Sequence, residues 1–183
     1  SLFNIDVASD SNITAQSFNN LDASAESTAG IATAAAGSLG TSGSSVTGIA
    51  SGMDIEVGGV SNLMAQAQGT ADASASSVSQ TAEADAGMIS MGIEDLEMVV
   101  KSDSDLSSTS AVIGSADGES TAGIATADID FDATGIDGIA MDVGGIGTLA
   151  STASVNGSSD ATNVGAAADA DVTPMVEDLG STA

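Results

Sequence analysis

Larger apolar side chains alternate with Asp, Ser, Thr or Asn over residues 4–8, 11–18, 28–34, 45–50, 54–60 and 128–132. A period of two places alternate side chains on opposite faces, so each stretch is predicted to be a half-buried β-strand. Glycine groups at 37–43, Gly58-Gly59, 135–138 and 144–147 are expected as turns or bulges between strands. Alanine favours helix intrinsically. The Ala-rich stretch 72–86 nevertheless alternates Ala with Ser, Thr, Asp and Glu and lacks the Lys- and Arg-bearing face of a solvated helix, which favours strand.

One segment carries a helical period. Ile89, Ile93, Leu96 and Val100 fall at i, i+4, i+7 and i+11, with Glu94, Asp95 and Glu97 off that stripe. Gly92 interrupts it, and the β-branched Ile and Val suit either state, so a short helix over 88–100 and an apolar strand compete.

Glu26-Ser27-Thr28-Ala29-Gly30-Ile31-Ala32-Thr33-Ala34 recurs letter for letter as Glu119-Ser120-Thr121-Ala122-Gly123-Ile124-Ala125-Thr126-Ala127. Met53-Asp54-Ile55-Glu56-Val57-Gly58-Gly59-Val60 is echoed by Met141-Asp142-Val143-Gly144-Gly145-Ile146, which reads as small deletions in a second copy. The economical interpretation is a duplicated β-rich unit, 1–92 and 93–183, joined near Gly92 as two copies or one continuous domain. Large side chains are sparse, so the buried layers must be thin. The expected fold is therefore all-β, a β-sandwich or β-solenoid built from two similar halves, with 88–100 open to either a short helix or a further strand.

Composition narrows the chemistry. The 183 residues carry 26 acidic side chains against one basic, Lys101, with no His and no Cys, and aromatics are limited to three Phe. The proton shuttle, thiol nucleophile and guanidinium clamp of ordinary active sites are missing, so an enzyme is not expected. A net charge of −25 opposes nucleic acid and anionic lipid surfaces. No run is long and apolar enough for a membrane-spanning helix, so no membrane insertion is expected. The glycine-rich stretches lack the Gly-Lys-Ser/Thr ending of a phosphate loop. A start at Ser1 suggests removal of an upstream leader and hence export.

The densest acidic group is Asp128, Asp130, Asp132 and Asp137, where alternating carboxylates and glycine turns supply the hard oxygen ligands that calcium selects. The spacing is not that of an EF-hand, and a solvated acidic strand face is the competing interpretation. Asp103 with Asp105 and Asp169 with Asp171 are lesser versions. Asn12-Ile13-Thr14 and Asn156-Gly157-Ser158 are acceptor sequences for N-glycosylation at Asn12 and Asn156 in an exported protein.

In composition and alternation the chain resembles secreted β-rich surface proteins of bacteria and archaea, such as repeat adhesins, fibre subunits and functional amyloids, without a diagnostic motif of any one family. The expected role is a structural subunit of an extracellular filament or surface layer, with copies of itself as partner. Assembly would use strand pairing or donation of the apolar segment 2–7, assisted by cations such as calcium. A calcium-stabilised adhesin or other surface module that does not polymerise is the alternative. An ice-binding array is disfavoured because Thr28, Thr33, Thr121 and Thr126 do not continue into a regular ladder.

Overall fold

Alternating small and polar residues leave the chain one way to bury half its side chains, and it takes that way almost throughout. A computed structural model describes residues 3–37, 45–50 and 52–179. The strands are β1 (Phe3–Val7), β2 (Ser11–Ser27), β3 (Ala32–Ala36), β4 (Ser45–Ile49), β5 (Met53–Val57), β6 (Ser61–Ser77), β7 (Ala82–Val100), β8 (Ser104–Ser120), β9 (Ala125–Val143), β10 (Gly147–Asn163) and β11 (Ala168–Leu179). Strand makes up 81% of the structure and none of the described residues is helical.

The strands form two sheets in which every neighbouring pair is parallel. Sheet A runs β1-β5-β7-β9-β11, with β3 and β4 also paired to β7, and sheet B runs β10-β8-β6-β2. Parallel neighbours need a long crossover. Here the crossover from one strand of a sheet to the next is a strand of the other sheet, so the chain winds as stacked coils, each with one pass through A and one through B. This corrects the expected sandwich or solenoid of two similar halves: the described strands form two parallel sheets, and over 88–100, where a short helix and an apolar strand competed, the chain is strand. Among the described residues there is no antiparallel sandwich, and the join expected near Gly92 falls inside β7.

The helical stripe has a specific origin. The inward positions of β7 run Ala82, Ala84, Ala86, Met88 and Ser90, then shift phase to Ile93 and again to Leu96, Met98 and Val100. The second shift surrounds Asp95, whose φ is 52°. Two slips in a period-two pattern thus produced spacings of three and four. Ile89, the first residue of the supposed stripe, faces outward and is 37% exposed.

Register resolves the repeat. Ser11 lies beside Ser61, Ser61 beside Ser104 and Ser104 beside Gly147, steps of 50, 43 and 43 residues. The nine-residue identity spans 93 positions because it is separated by two coils, one of each length. The second echo has a shorter offset because it spans two 43-residue steps and not the 50-residue one: the register sets Val57 beside Val100 and Val100 beside Val143, so Gly58-Gly59 and Gly144-Gly145 are the same corner two coils apart. Residues 28–31, expected as the start of a strand, form the corner between β2 and β3, and their repeat 121–124 forms the corner between β8 and β9. Glycines 135–138, expected as a turn, lie within β9; of the group 37–43, only Gly37 lies among the described residues.

Two buried clusters fill the interior. One is mainly alanine, with Met88, Val112, Ile129 and Phe131 as its large members. The other contains Ile49, Ile55, Val57, Leu63, Ile93, Leu96, Met98, Val100, Leu106 and Ile136. Where sheet A contributes bulk, sheet B contributes glycine: a Cβ on Gly114 would lie 2.9 Å from Phe131 Cζ, and one on Gly69 would lie 2.5 Å from Met88 Cγ. Between the clusters the sheets approach closely enough for hydroxyls to bridge them. Ser90 donates to the Ala67 carbonyl at 3.2 Å, and Ser110 donates to Ser90 at 2.9 Å. Hydroxyl pairing satisfies groups whose burial would otherwise be costly.

Candidate functional site

The notable features are corners, outward ladders and open edges rather than a cleft. At the corner preceding β3, β7, β9 and β11, one side-chain position repeats coil after coil. Ser27, Ser77 and Ser120 each accept a hydrogen bond from the N–H three residues on, at Gly30, Gln80 and Gly123, over 2.8, 3.2 and 2.9 Å. Asn163 takes the fourth position, accepting from Ala166 N–H at 2.8 Å. The last three also donate to the previous coil: Ser77 to the Gly30 carbonyl at 2.9 Å, Ser120 to that of Gln80 at 2.8 Å, and Asn163 to that of Gly123. The column staples the coils along the stacking axis. Its signal was present in the repeated Glu-Ser-Thr-Ala-Gly motif, but the alternate coils disguise it as Ser77-Val78-Ser79-Gln80 and Asn163-Val164-Gly165-Ala166.

The opposite corner alternates. The first and third coils carry Asp10 and Asp103, and the second and fourth carry Gly58-Gly59-Val60 and Gly144-Gly145-Ile146. Asp10 accepts from Val60 N–H at 2.9 Å and Asp103 from Ile146 N–H at 2.8 Å. Glycine is required because a Cβ on Gly59 or Gly145 would lie 2.2 Å from the carboxylate oxygen. Lys101 stands at this corner in the third coil and pairs with Glu56 at 3.0 Å, with 64% and 52% of the two side chains exposed. An exposed pair of this kind adds little stability.

The anticipated calcium ligands lie along β9. Asp128, Asp130 and Asp132 occupy alternate outward positions of one strand, about 7 Å apart, and Asp137 precedes the left-handed Gly138, whose φ is 86°. Their carboxylates run along the strand instead of converging, and among the described residues no group of three acidic side chains is arranged to hold a metal ion. What does come together is a column across coils: the register places Asp85 beside Asp128 and Asp128 beside Asp171, with neighbouring coils about 4.8 Å apart. Partial burial, then the Asp128 and Glu83 carboxylates, hold Asp85 above the usual carboxylate range. Partial burial, then Asp171, Asp169 and Glu83, do the same for Asp128. The single-strand pattern was legible in the sequence, whereas the cross-coil column needed the 43-residue step.

Asn12 and Asn156 both lie exposed on the outer face of sheet B, in β2 and β10. Depressions on that face are shallow; one of about 290 Å³ crosses four coils through Asn12, Met64, Asp105 and Thr148. Segment 2–7, expected as a donated strand, is occupied where it is described, since β1 pairs with β5 from Phe3 to Val7.

No known protein family, curated protein or solved structure matches this chain.

Both ends of the stack expose strand edges. Among the described residues, at one end β2 pairs only with β6, and at the other β10 pairs only with β8. Inward side chains of these terminal strands, including Ile13, Leu21, Val155 and Ala161, are only partly buried although they pack on the two clusters. The arrangement can extend its backbone ladder and cover apolar surface in the same step.

Proposed function

We propose that this protein is a structural subunit of an extracellular or cell-surface fibre that grows by pairing of strand edges between copies. The observation that carries this reading is the pair of open parallel edges, β2 and β10, above half-covered core residues. Unpaired edges are templates for association, and neither edge strand is interrupted by Pro or a Lys turned inward. Strand donation by β1 is the weaker route, because β1 already has a partner in its own chain. The chemistry is that of packing: no His, Cys, Arg or Tyr is present to run acid–base, thiol or phosphoryl chemistry.

Charge tunes the association. With a net charge of −25, copies repel at long range, and salt or a divalent cation such as calcium screens that repulsion. Negative-stain microscopy of the purified protein, with calcium and with a chelator, tests the proposal. Filaments whose fibre diffraction shows a meridional spacing of about 4.8 Å are expected. Dispersed single particles under every condition would overturn it.

A further inference from the structure

The two ends of the stack are stepped, and the steps match. At one end β11 runs beside residues 125–136 of β9, while residues 139–143 of β9 have, among the described residues, β7 as their partner on one side only. At the other end, among the described residues, β1 covers only β5, and β3 and β4 are paired only on the side of β7. The register runs from Phe3 through Met53 and Leu96 to Ile139, and from Leu179 to Ile136. Each overhang therefore has the position and length of the opposite gap.

We infer that a second copy of this chain docks end to end, the β1–β2 end of one completing the β10–β11 end of the other. In the joint β11 lies against β3 and β4 of the neighbour, residues 139–143 lie against its β1, and β10 lies against its β2. Each pairing continues the parallel register of the chain's own coils. This deepens the fibre reading and rests on it.

Three features support the fit. The first is hydrogen bonding. Ser27 begins the corner column, and the carbonyl of Ala166 at the far end occupies the position at which Gly30, Gln80 and Gly123 accept from the next coil. The joint brings the Ser27 hydroxyl to that carbonyl. It also repeats the step from second to third coil, in which a coil with a glycine corner meets one with an aspartate corner and Ser61 N–H donates to the Asp103 carbonyl at 3.0 Å.

Charge is the second feature. On sheet B the joint sets Ser158 beside Asp22, Asp160 beside Ser24 and Thr162 beside Glu26, with no carboxylate on a carboxylate. Across both sheets it stacks one acidic pair, Asp142 with Asp6. The chain's own first step stacks two, Asp22 with Asp72 and Asp6 with Glu56. The third feature is the core. The joint places Ile5 against Met141, Ile13 against Leu149 and Leu21 against Gly157, covering side chains that the single stack leaves partly exposed.

The chain has no cysteine, so introduced pairs report contact directly. Gln16 and Thr152 are outward and would be immediate neighbours across the joint, within the Cα separation a disulfide tolerates. Inside one chain they are three strands apart, about 14 Å. The double variant Gln16→Cys/Thr152→Cys should give an oxidised ladder of dimers, trimers and higher species that collapses to monomer on reduction. Gln16→Cys/Asp160→Cys, displaced about 26 Å along the strand, should give none. A ladder from the displaced pair, or Gln16→Cys alone linking as efficiently as the double variant, would overturn the joint. Filaments by microscopy without in-register linkage would overturn the joint and leave the fibre reading standing, whereas particles that never exceed one stack would overturn both.

Discussion

The Asp103 carboxylate accepts a hydrogen bond from the Ile146 N–H of the following coil at 2.8 Å, in the space that Gly145 leaves by having no side chain. The two residues are 43 apart, so this contact ties one coil to the next at a corner where no strand ladder can. Asp103→Ala should lower stability by about 0.5–1.5 kcal/mol, the usual worth of one such bond. Gly145→Ala should cost more, because its Cβ would also meet the Ser102 and Asp103 main chain at 2.9 and 3.0 Å. In the double variant the losses should not add, since the carboxylate clash is already gone. Thermal melts of the three variants check this.

Asp95 adopts φ 52° in register between Gly52 at 79° and Gly138 at 86°. Among the described residues this column holds three left-handed positions in successive coils, and Asp95 is the one of the three that carries a side chain. Asp95→Gly is expected to stabilise by about 0.5–1 kcal/mol, the relief of left-handed strain less the greater chain entropy of glycine. A fall in melting temperature would show that the Asp95 side chain contributes more than its backbone costs.

Gly69 and Gly114 both make room for large residues of the opposite sheet, but their neighbours differ. A Cβ on Gly69 meets the flexible Met88 side chain, whereas one on Gly114 meets the Ala71 carbonyl oxygen at 1.9 Å as well as Phe131. Methionine can move aside and a ladder carbonyl cannot. Gly69→Ala should therefore cost about 1–3 kcal/mol and Gly114→Ala more than that, with urea titration giving the comparison.

Much of this was written in the sequence, and some of it was not. The strand character of 4–8, 45–50 and 54–60 and the corner at Gly58-Gly59 follow from alternation and glycine, and they stand close to where alternation put them. Parallel pairing was invisible, because a period of two is the same whether the neighbour runs up or down. The 43-residue step was hidden by the alternating corners: Asp10 and Asp103 match each other but not the glycines between them, so the eye finds every second coil. Ile93 and Leu96 mimicked a helix because two phase slips fall between Ser90 and Leu96. Asp130 and Asp132 looked like partners of Asp128, yet the carboxylates stacked on Asp128 are Asp85 and Asp171, each 43 residues away.

That column gives the molecule a pH dependence of defined sign. Asp85 and Asp128 have folded-state pKa values above the ordinary one, so the folded chain holds protons that the unfolded chain releases. Stability from these groups is complete below the ordinary carboxylate value, about 4, and is lost as pH rises through the elevated folded values. The melting temperature should rise on acidification from neutral pH toward that value. Asp128→Asn should raise it at neutral pH and flatten the profile, as should added salt. An unchanged profile in Asp128→Asn would place the pH dependence elsewhere.

The alternating corner sets a quantum of length. Duplicating a segment of 86 residues, two 43-residue steps, restores an aspartate coil next to a glycine coil and should lengthen the rod by about 9.6 Å. Duplicating 43 residues sets two coils of one kind together, either two carboxylates contending for the same corner or a glycine pair with no acid to hold it. Such a chain should grow, by gene duplication or by design, in even numbers of turns.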